Sequence, residues 1–441
     1  MEHLTIPQPR RVQHVYLTLV LLNTLAASLI WGINTLFMLD AGLSATAAFA
    51  ANAFWTAGMV LFEVPTGVVA DTWGRRASYL LGALTLAAST GLYWVAWWQR
   101  APFWAWAATS ALLGLGYTFF SGATEAWLVD ALNHTGFKGS LESVFSKAQI
   151  VGGAAMLSGS VAGGLIAQWT NLGVPYLLRS AALVVTFAVA FVSMRDWGFA
   201  PEPGKRPTDE MRQVLASSLR HGFGNPPVRW MMLSSPFVFG VLAYSGYAAQ
   251  PFLLQLYGDQ RAYGIAGLAA AVFAGAQIAG GMAAPRIRRL FRRRTSTVLA
   301  GTLATVGSLA LLGVTTSFWV AVALLVVGGL VFAAVFPTRQ AYLNSLIPSE
   351  QRATVLSFDN LLGSGGGVVI QPALGRVADA WSYSSSYLAG AAVQMLAVPL
   401  VVLARRERAS SDSVQELEAA RAAEAAPAPE PAQAMASRDV A

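Results

Sequence analysis

Cysteine is missing from all 441 residues. This excludes a disulfide framework and any thiolate metal or redox centre, and leaves the redox compartment unread. Charge is scarce as well: 12% of residues are charged and 55% are hydrophobic, against about a quarter charged in an ordinary soluble domain. Such a chain has too little polar surface to solvate a compact fold of this size, so lipid must replace much of the water. Histidine is nearly absent. His3, His14, His134 and His221 all fall outside apolar runs or at their ends, which argues against a histidine-based catalytic or metal centre at membrane depth, and no cofactor or metal is expected. No nucleotide-binding P-loop occurs, so ATP-driven transport is unsupported. The glycine-rich run Gly363-Ser364-Gly365-Gly366-Gly367 lies inside an apolar stretch without the preceding strand that a phosphate loop requires, a setting for flexing or close helix packing.

What the chain has instead is hydrophobic length. A helix crosses the hydrocarbon core with about 20 largely apolar residues. Twelve runs qualify, near 14–39, 47–70, 77–98, 102–132, 141–167, 173–195, 229–256, 262–284, 296–314, 317–346, 353–380 and 384–404. The first is too long for a signal-peptide core and reads as a retained span. The expected organisation is a six-helix bundle over 1–195, a linker over 196–228, a second six-helix bundle over 229–404 and a disordered tail over 405–441. Within the linker, Met211, Val214, Leu215, Ser218 and Leu219 fall at helical spacing, which predicts an amphipathic helix lying at the membrane surface.

The net charge of +7 suits nucleic acid until its placement is considered. Counting connections alternately, one side carries 21 Lys and Arg and the other only Arg100 and Arg261. Excess cations mark the cytoplasmic side, so both termini are expected in the cytoplasm. The run from Arg286 to Arg294 then reads as a topology signal helped by anionic lipid, not as a nucleic-acid patch.

An ordered set of weak matches relates the halves. Glu125-Ala126-Trp127-Leu128 aligns with Gln340-Ala341-Tyr342-Leu343; Val144 and Ser146 align with Val355 and Ser357; Gly164, Ile166 and Ala167 align with Gly375, Val377 and Ala378. Parallel repeats of this kind place a solute site near the bilayer midplane between two rocking halves.

Between the second and third runs stands Gly67-Val68-Val69-Ala70-Asp71-Thr72-Trp73-Gly74-Arg75-Arg76. Gly67 allows close helix approach, Gly74 a sharp turn, Asp71 can cap a neighbouring helix and Arg75 can reach a carboxylate. The segment resembles the G-x-x-x-D-x-x-G-R-[KR] signature of the major facilitator superfamily. That resemblance implies an all-α membrane fold of twelve transmembrane helices in two bundles related by a pseudo-two-fold axis, and a secondary transporter rather than an enzyme. It also implies that the motif's acid meets the start of span 11 and its arginine an acid at the cytoplasmic end of span 4, here Asp130. The second half departs from the pattern, with Pro285 where the acid belongs. Gly159-Ser160-Val161-Ala162-Gly163-Gly164 in span 5 resembles the G-P-x-x-G-G motif of drug/proton antiporters, with Ser160 in the proline's place. The arginine that such antiporters carry in span 4 is missing from Ala111 to Gly116. Phe62 to Thr66 and Ser121 to Trp127 look like a bacterial branch rich in exporters, which implies an inner-membrane location.

Six charges fall well inside spans: Glu63, Glu125, Lys147, Arg179, Arg339 and Asp359. At bilayer depth each costs roughly 2.5 to 3.5 kcal/mol on insertion scales, so each is expected to be paired, cavity-facing or functional. Glu125, with Glu63 and Asp359 as alternates, is the candidate proton carrier; structural pairing near an inner gate is the competing use. Arg179, near the outer end of span 6, is expected to snorkel, and Lys147 and Asp359 lie near repeat-equivalent positions. Asn23, Asn34, Gln149, Gln250, Gln277 and Gln371 line a wet cavity or bond across helices. The expected partners are a small-molecule substrate, protons and lipid, with a monomer as the working unit. Efflux of amphipathic compounds and uptake of a metabolite both remain open, and a membrane enzyme, the other class, lacks its catalytic cluster.

Overall fold

The computed structural model describes residues 8–201 and 218–413. These are helical apart from turns and one isolated antiparallel bridge, Arg293 with Ser413. Twelve crossings follow one another. Span 1 is Pro9–Trp31 continued, after a break, by Asn34–Asp40; span 2 is Ala45–Trp73 and span 3 Arg75–Trp98. Span 4 is split into Phe103–Thr118 and Ala123–His134, followed by span 5, Leu141–Trp169, and span 6, Gly173–Ser193. The second half contains span 7, Pro226–Tyr257; span 8, Tyr263–Arg289; span 9, Arg294–Val314; span 10, Phe318–Leu346; span 11, Ser349–Ala380; and span 12, Tyr383–Met395 with Ala397–Arg406.

Ten of these crossings are long and apolar enough to span a membrane by length and composition alone. Span 4 falls short because its break leaves two pieces of 16 and 12 residues. Span 11 falls short because glycine, serine and charge dilute its apolar residues. The two that fall short, one in length and one in hydropathy, are thus the one with a broken helix and the one with a glycine-rich interior. Leu61, Val185, Val192, Val369 and Val314 are among many large apolar side chains exposed on the helices, a surface that suits lipid. Trp98, Trp104, Trp169, Trp319 and Trp381 stand exposed at one end of the bundle, where an aromatic belt meets the headgroups.

Local chemistry sets where helices begin. The side chains of Ser44, Ser140 and Ser382 accept from the backbone N–H groups of Ala47, Ser143 and Ser385, starting spans 2, 5 and 12. In the first half, Phe37 stacks on Tyr176 with ring centroids 3.8 Å apart and packs against Trp97 and Trp106. Such aromatic pairs contribute about 0.5–1.5 kcal/mol each beyond area burial, and they hold Tyr93 of span 3 close to Tyr176 of span 6.

The boundaries move in two places. The amphipathic-helix expectation falls largely on residues outside the described ones, and Ser218–Phe223 forms a π-type turn. The expected disordered tail starts too early: Arg405 and Arg406 close the last helix, and Asp412, buried, accepts from the N–H and hydroxyl of Thr295. That carboxylate caps span 9 and so ties the segment after the last helix to the bundle.

Candidate transport site and gates

The first and last described residues, Gln8 and Ser413, lie at one face of the molecule, called the terminal face below. Hydrogen bonds joining the two halves gather near the opposite face. Asp379, at the end of span 11, accepts from the backbone N–H of Ala45 and Thr46 at 2.8 Å each and from the Thr46 hydroxyl. It thus caps the N-terminus of span 2 across the interface. Gln250 of span 7 donates to the Trp31 carbonyl and accepts from the Thr35 N–H, both at 2.8 Å, satisfying the backbone groups that the break in span 1 releases. Gln168 of span 5 accepts from the N–H of Gly264 at the start of span 8. This side is sealed.

The antiporter-like motif belongs to that seal and serves two directions. A Cβ on Gly159 would stand 1.9 Å from the Ser28 hydroxyl, and one on Gly163 1.9 Å from the Leu29 carbonyl, so both press against span 1 within the first bundle. A Cβ on Gly164 would stand 2.6 Å from the Tyr263 carbonyl, and one on Gly267 2.4 Å from the Ser160 carbonyl. These two positions bring spans 5 and 8 together across the interface.

At the terminal face the signature residues are brought together within the first half. Arg75 donates to Asp71 at 2.6 Å and reaches Asp130 at 3.9 Å. The carboxylate that sequence reasoning missed is Asp196. It accepts from the Arg76 N–H at 2.8 Å and so starts span 3. Its Oδ2 would lie 2.2 Å from a Cβ on Gly74, whose φ is +105°. Glycine is therefore required there twice over, by backbone conformation and by space. Burial pushes the Asp196 carboxyl above the usual carboxylate range, against the pull of Arg76 and Arg75. Arg76 also donates to the Phe191 carbonyl.

Between seal and terminal face, polar side chains stand exposed on otherwise apolar spans: Glu63, Ser121, Glu125, Lys147 and Gln149. Carboxylates avoid lipid, so this exposure marks an aqueous cavity open at the terminal face. Glu63 accepts from Ser121 at 2.9 Å. Ser121 belongs to the break in span 4, where Gly122 takes a left-handed conformation, φ +70°, and Glu125 sits in the first turn of the resumed helix.

Asp359 and Arg339 are different. Their side chains are 1% and 8% exposed and form a bidentate pair at 2.7 and 2.8 Å. Arg339 also donates to the Met231 carbonyl and to Ser235, which in turn donates to Asp359. The pair is closed in by spans 7, 10 and 11, so Asp359 does not share the exposed setting of Lys147, and the two are not equivalent gate charges. At the repeat offset that places Val144 against Val355, both buried, Asp359 falls opposite Ala148, also buried.

A two-bundle helical molecule, sealed at one face and wet at the other, with glycine-mediated contacts across its seam, has the architecture of an alternating-access carrier. The sequence profile described as Major Facilitator Superfamily matches residues 16–370 and 262–438, and the chain belongs to that family. It is a secondary transporter. Similar solved structures include the nucleoside transporter NupG, at 13% identity and TM-score 0.72, covering 89% of this chain and 98% of that one. The human organic anion transporter MFSD10 (TETRAN) has 17% identity and TM-score 0.61, with 90% and 100% covered. A D-xylose-proton symporter has 14% and 0.62, with 89% and 96% covered. At these identities the likeness speaks for the fold. Among curated proteins, none matches this chain in sequence.

Proposed function

We propose that this transporter couples the movement of a small solute to protons, with Glu125 as the proton carrier and Glu63 beside it, and that it exports amphipathic or hydrophobic compounds across a bacterial inner membrane. One observation carries the reading. Around the break in span 4, Glu125 and Glu63 face the aqueous cavity, and among the described residues neither forms an ion pair. A carboxylate that alternates between wet and dry surroundings releases and regains a proton as the halves rock. The force suffices: one charge crossing 100 mV supplies about 2.3 kcal/mol, roughly a fifty-fold gradient. With the terminal face in the cytoplasm, as the charge asymmetry supports, this conformation is inward-open and the protein works as a monomer.

Export is supported by the antiporter-like motif built into the seal. Uptake of a small metabolite is the second reading, favoured by the hydrogen-bonding character of the sealed end, where Asn34, Asn52, Tyr176 and Gln250 gather. The purified protein in vesicles of either orientation, screened against a compound panel with and without a pH gradient, separates the two. Glu125→Gln is expected to insert normally and to lose pH-driven accumulation. pH-driven accumulation at the wild-type rate by Glu125→Gln, and by Glu63→Gln and Asp359→Asn as well, would put the proton on another group, whereas wild-type transport indifferent to the pH gradient would make the chain a uniporter.

A further inference from the structure

Arg179 neither snorkels to the outer surface nor finds an acid. It lies six residues into span 6 from the sealed end, about 9 Å along the helix axis. It forms no ion pair or hydrogen bond among the described residues, and its Nε is buried without a partner. The groups that feel its charge are the hydroxyls of Tyr176 and Tyr93 from the first half and Tyr247 from the second. Tyr247 stands one turn from Gln250 on span 7, the helix that clasps span 1 across the seam. Tyr176 and Arg179 are one turn apart on span 6; Gln250 and Tyr247 are one turn apart on span 7. In both pairs the first residue belongs to the seal and the second lies one turn toward the cavity.

The surroundings are short of acceptors. The Tyr176 hydroxyl donates to Asn34 Oδ1 and Asn34 Nδ2 donates to Asn52 Oδ1, each at 2.9 Å. The chain ends on Asn52 Nδ2, a buried donor with no partner. A buried guanidinium Nε and a buried amide Nδ2, both lacking an acceptor, are costly unless something supplies one.

We infer that Arg179, with Tyr176, Tyr247 and Asn52, forms an anion-binding subsite one helical turn below the seal, and that the transported solute carries a carboxylate there. The anion supplies the missing acceptor, and the rest of the solute extends toward the wet part of the cavity. Because Asn34 and Tyr176 adjoin the Gln250 clasp on Thr35, an anion seated here touches the groups that hold the seal shut. The inference rests on the transporter reading but not on proton coupling, so its test measures binding in detergent without a gradient.

The probes are benzoate, phenylacetate and 1-naphthoate, each beside its carboxamide, in chloride-free buffer, with thermal shift and tryptophan fluorescence as readouts. At least one acid is expected to bind the wild type while its amide binds ten-fold or more weaker, since a hydrogen bond to a charged group is worth about 1.5–3 kcal/mol. Arg179→Gln is expected to erase that preference and Arg179→Lys to keep part of it. Without ligand, Arg179→Gln is expected to melt no lower than the wild type, because it removes an unpaired charge. Equal binding of acids and amides, or an acid preference that survives Arg179→Gln, overturns the subsite. Chloride competing as strongly as the best acid makes the occupant an inorganic ion and overturns the assignment to solute. Loss of transport in Glu125→Gln with acid binding intact leaves the subsite standing and bears only on coupling.

Discussion

Asp379 and Asp71 occupy opposite ends of one antiparallel helix pair. Each stands in the last turn of its own helix, spans 11 and 2. In the present state Asp379 caps the start of span 2, while Asp71 is paired with Arg75 in its own half. We read them as reciprocal latches, one for each open state. Asp379→Ala is expected to shift the equilibrium toward the outward-open form by about 1 kcal/mol, the worth of a helix cap at an exposed site, or roughly five-fold in population. Distances between spin labels at introduced cysteines would show it, and an unchanged distribution would remove Asp379 from the gate. At Arg339 and Asp359 the expectation is structural. Asp359→Asn leaves a buried guanidinium uncompensated and is expected to cost about 3–5 kcal/mol, whereas Arg339→Met with Asp359→Leu is expected to be near neutral. Thermal unfolding in detergent checks this; a pair whose double replacement is folded but inactive in transport would instead have a working role.

The break in span 4 and the proline in span 10 illustrate how one repeat position can be solved twice. Gly122 and Pro337 fall at equivalent places in the alignment that sets Glu125 against Gln340. The first half unwinds there and exposes Glu125; span 10 stays continuous through Pro337. Span 5 permits a sharper test, because neighbouring glycines of one motif face different helices. Gly163→Val presses on the Leu29 backbone inside the first bundle and is expected to lower stability by about 1–3 kcal/mol. Gly164→Val presses on Tyr263 across the seam. It is expected to spare the melting temperature and to depopulate the sealed state, seen as labelling of outer-face cysteines that the wild type protects. The reverse assignment would show that the two contacts have been exchanged.

For the molecule as a whole the central expectation is orientation. The native chain has no cysteine, so single replacements report cleanly. Ser317→Cys, exposed at the sealed face, is expected to react with an impermeant thiol reagent in intact cells, and Lys138→Cys, exposed at the terminal face, only after permeabilisation. The opposite pattern would invert the topology and turn the cavity outward.

Apolar run length, the alternation of basic loops and the signature from Gly67 to Arg76 determined the class of fold and set Asp71 one helical turn from Arg75, because these depend on spacing along the chain, while the family resemblance implied Asp130 as the arginine's second partner. Tertiary structure decided whatever needed two distant segments to meet. Asp379 and Gln250 became seal residues because spans 2 and 11, and 1 and 7, come together at one face, and Asp196 became the start of span 3 across 120 residues of sequence. Asp359 and Glu125 looked alike as intramembrane acids; only packing made one a buried partner of Arg339 and left the other in the cavity. Arg179 read as a surface-seeking arginine until its Nε proved buried without a partner, one turn from Tyr176 of the seal. Sequence carries periodicity and local capping, whereas burial and partnership are properties of the packed seam.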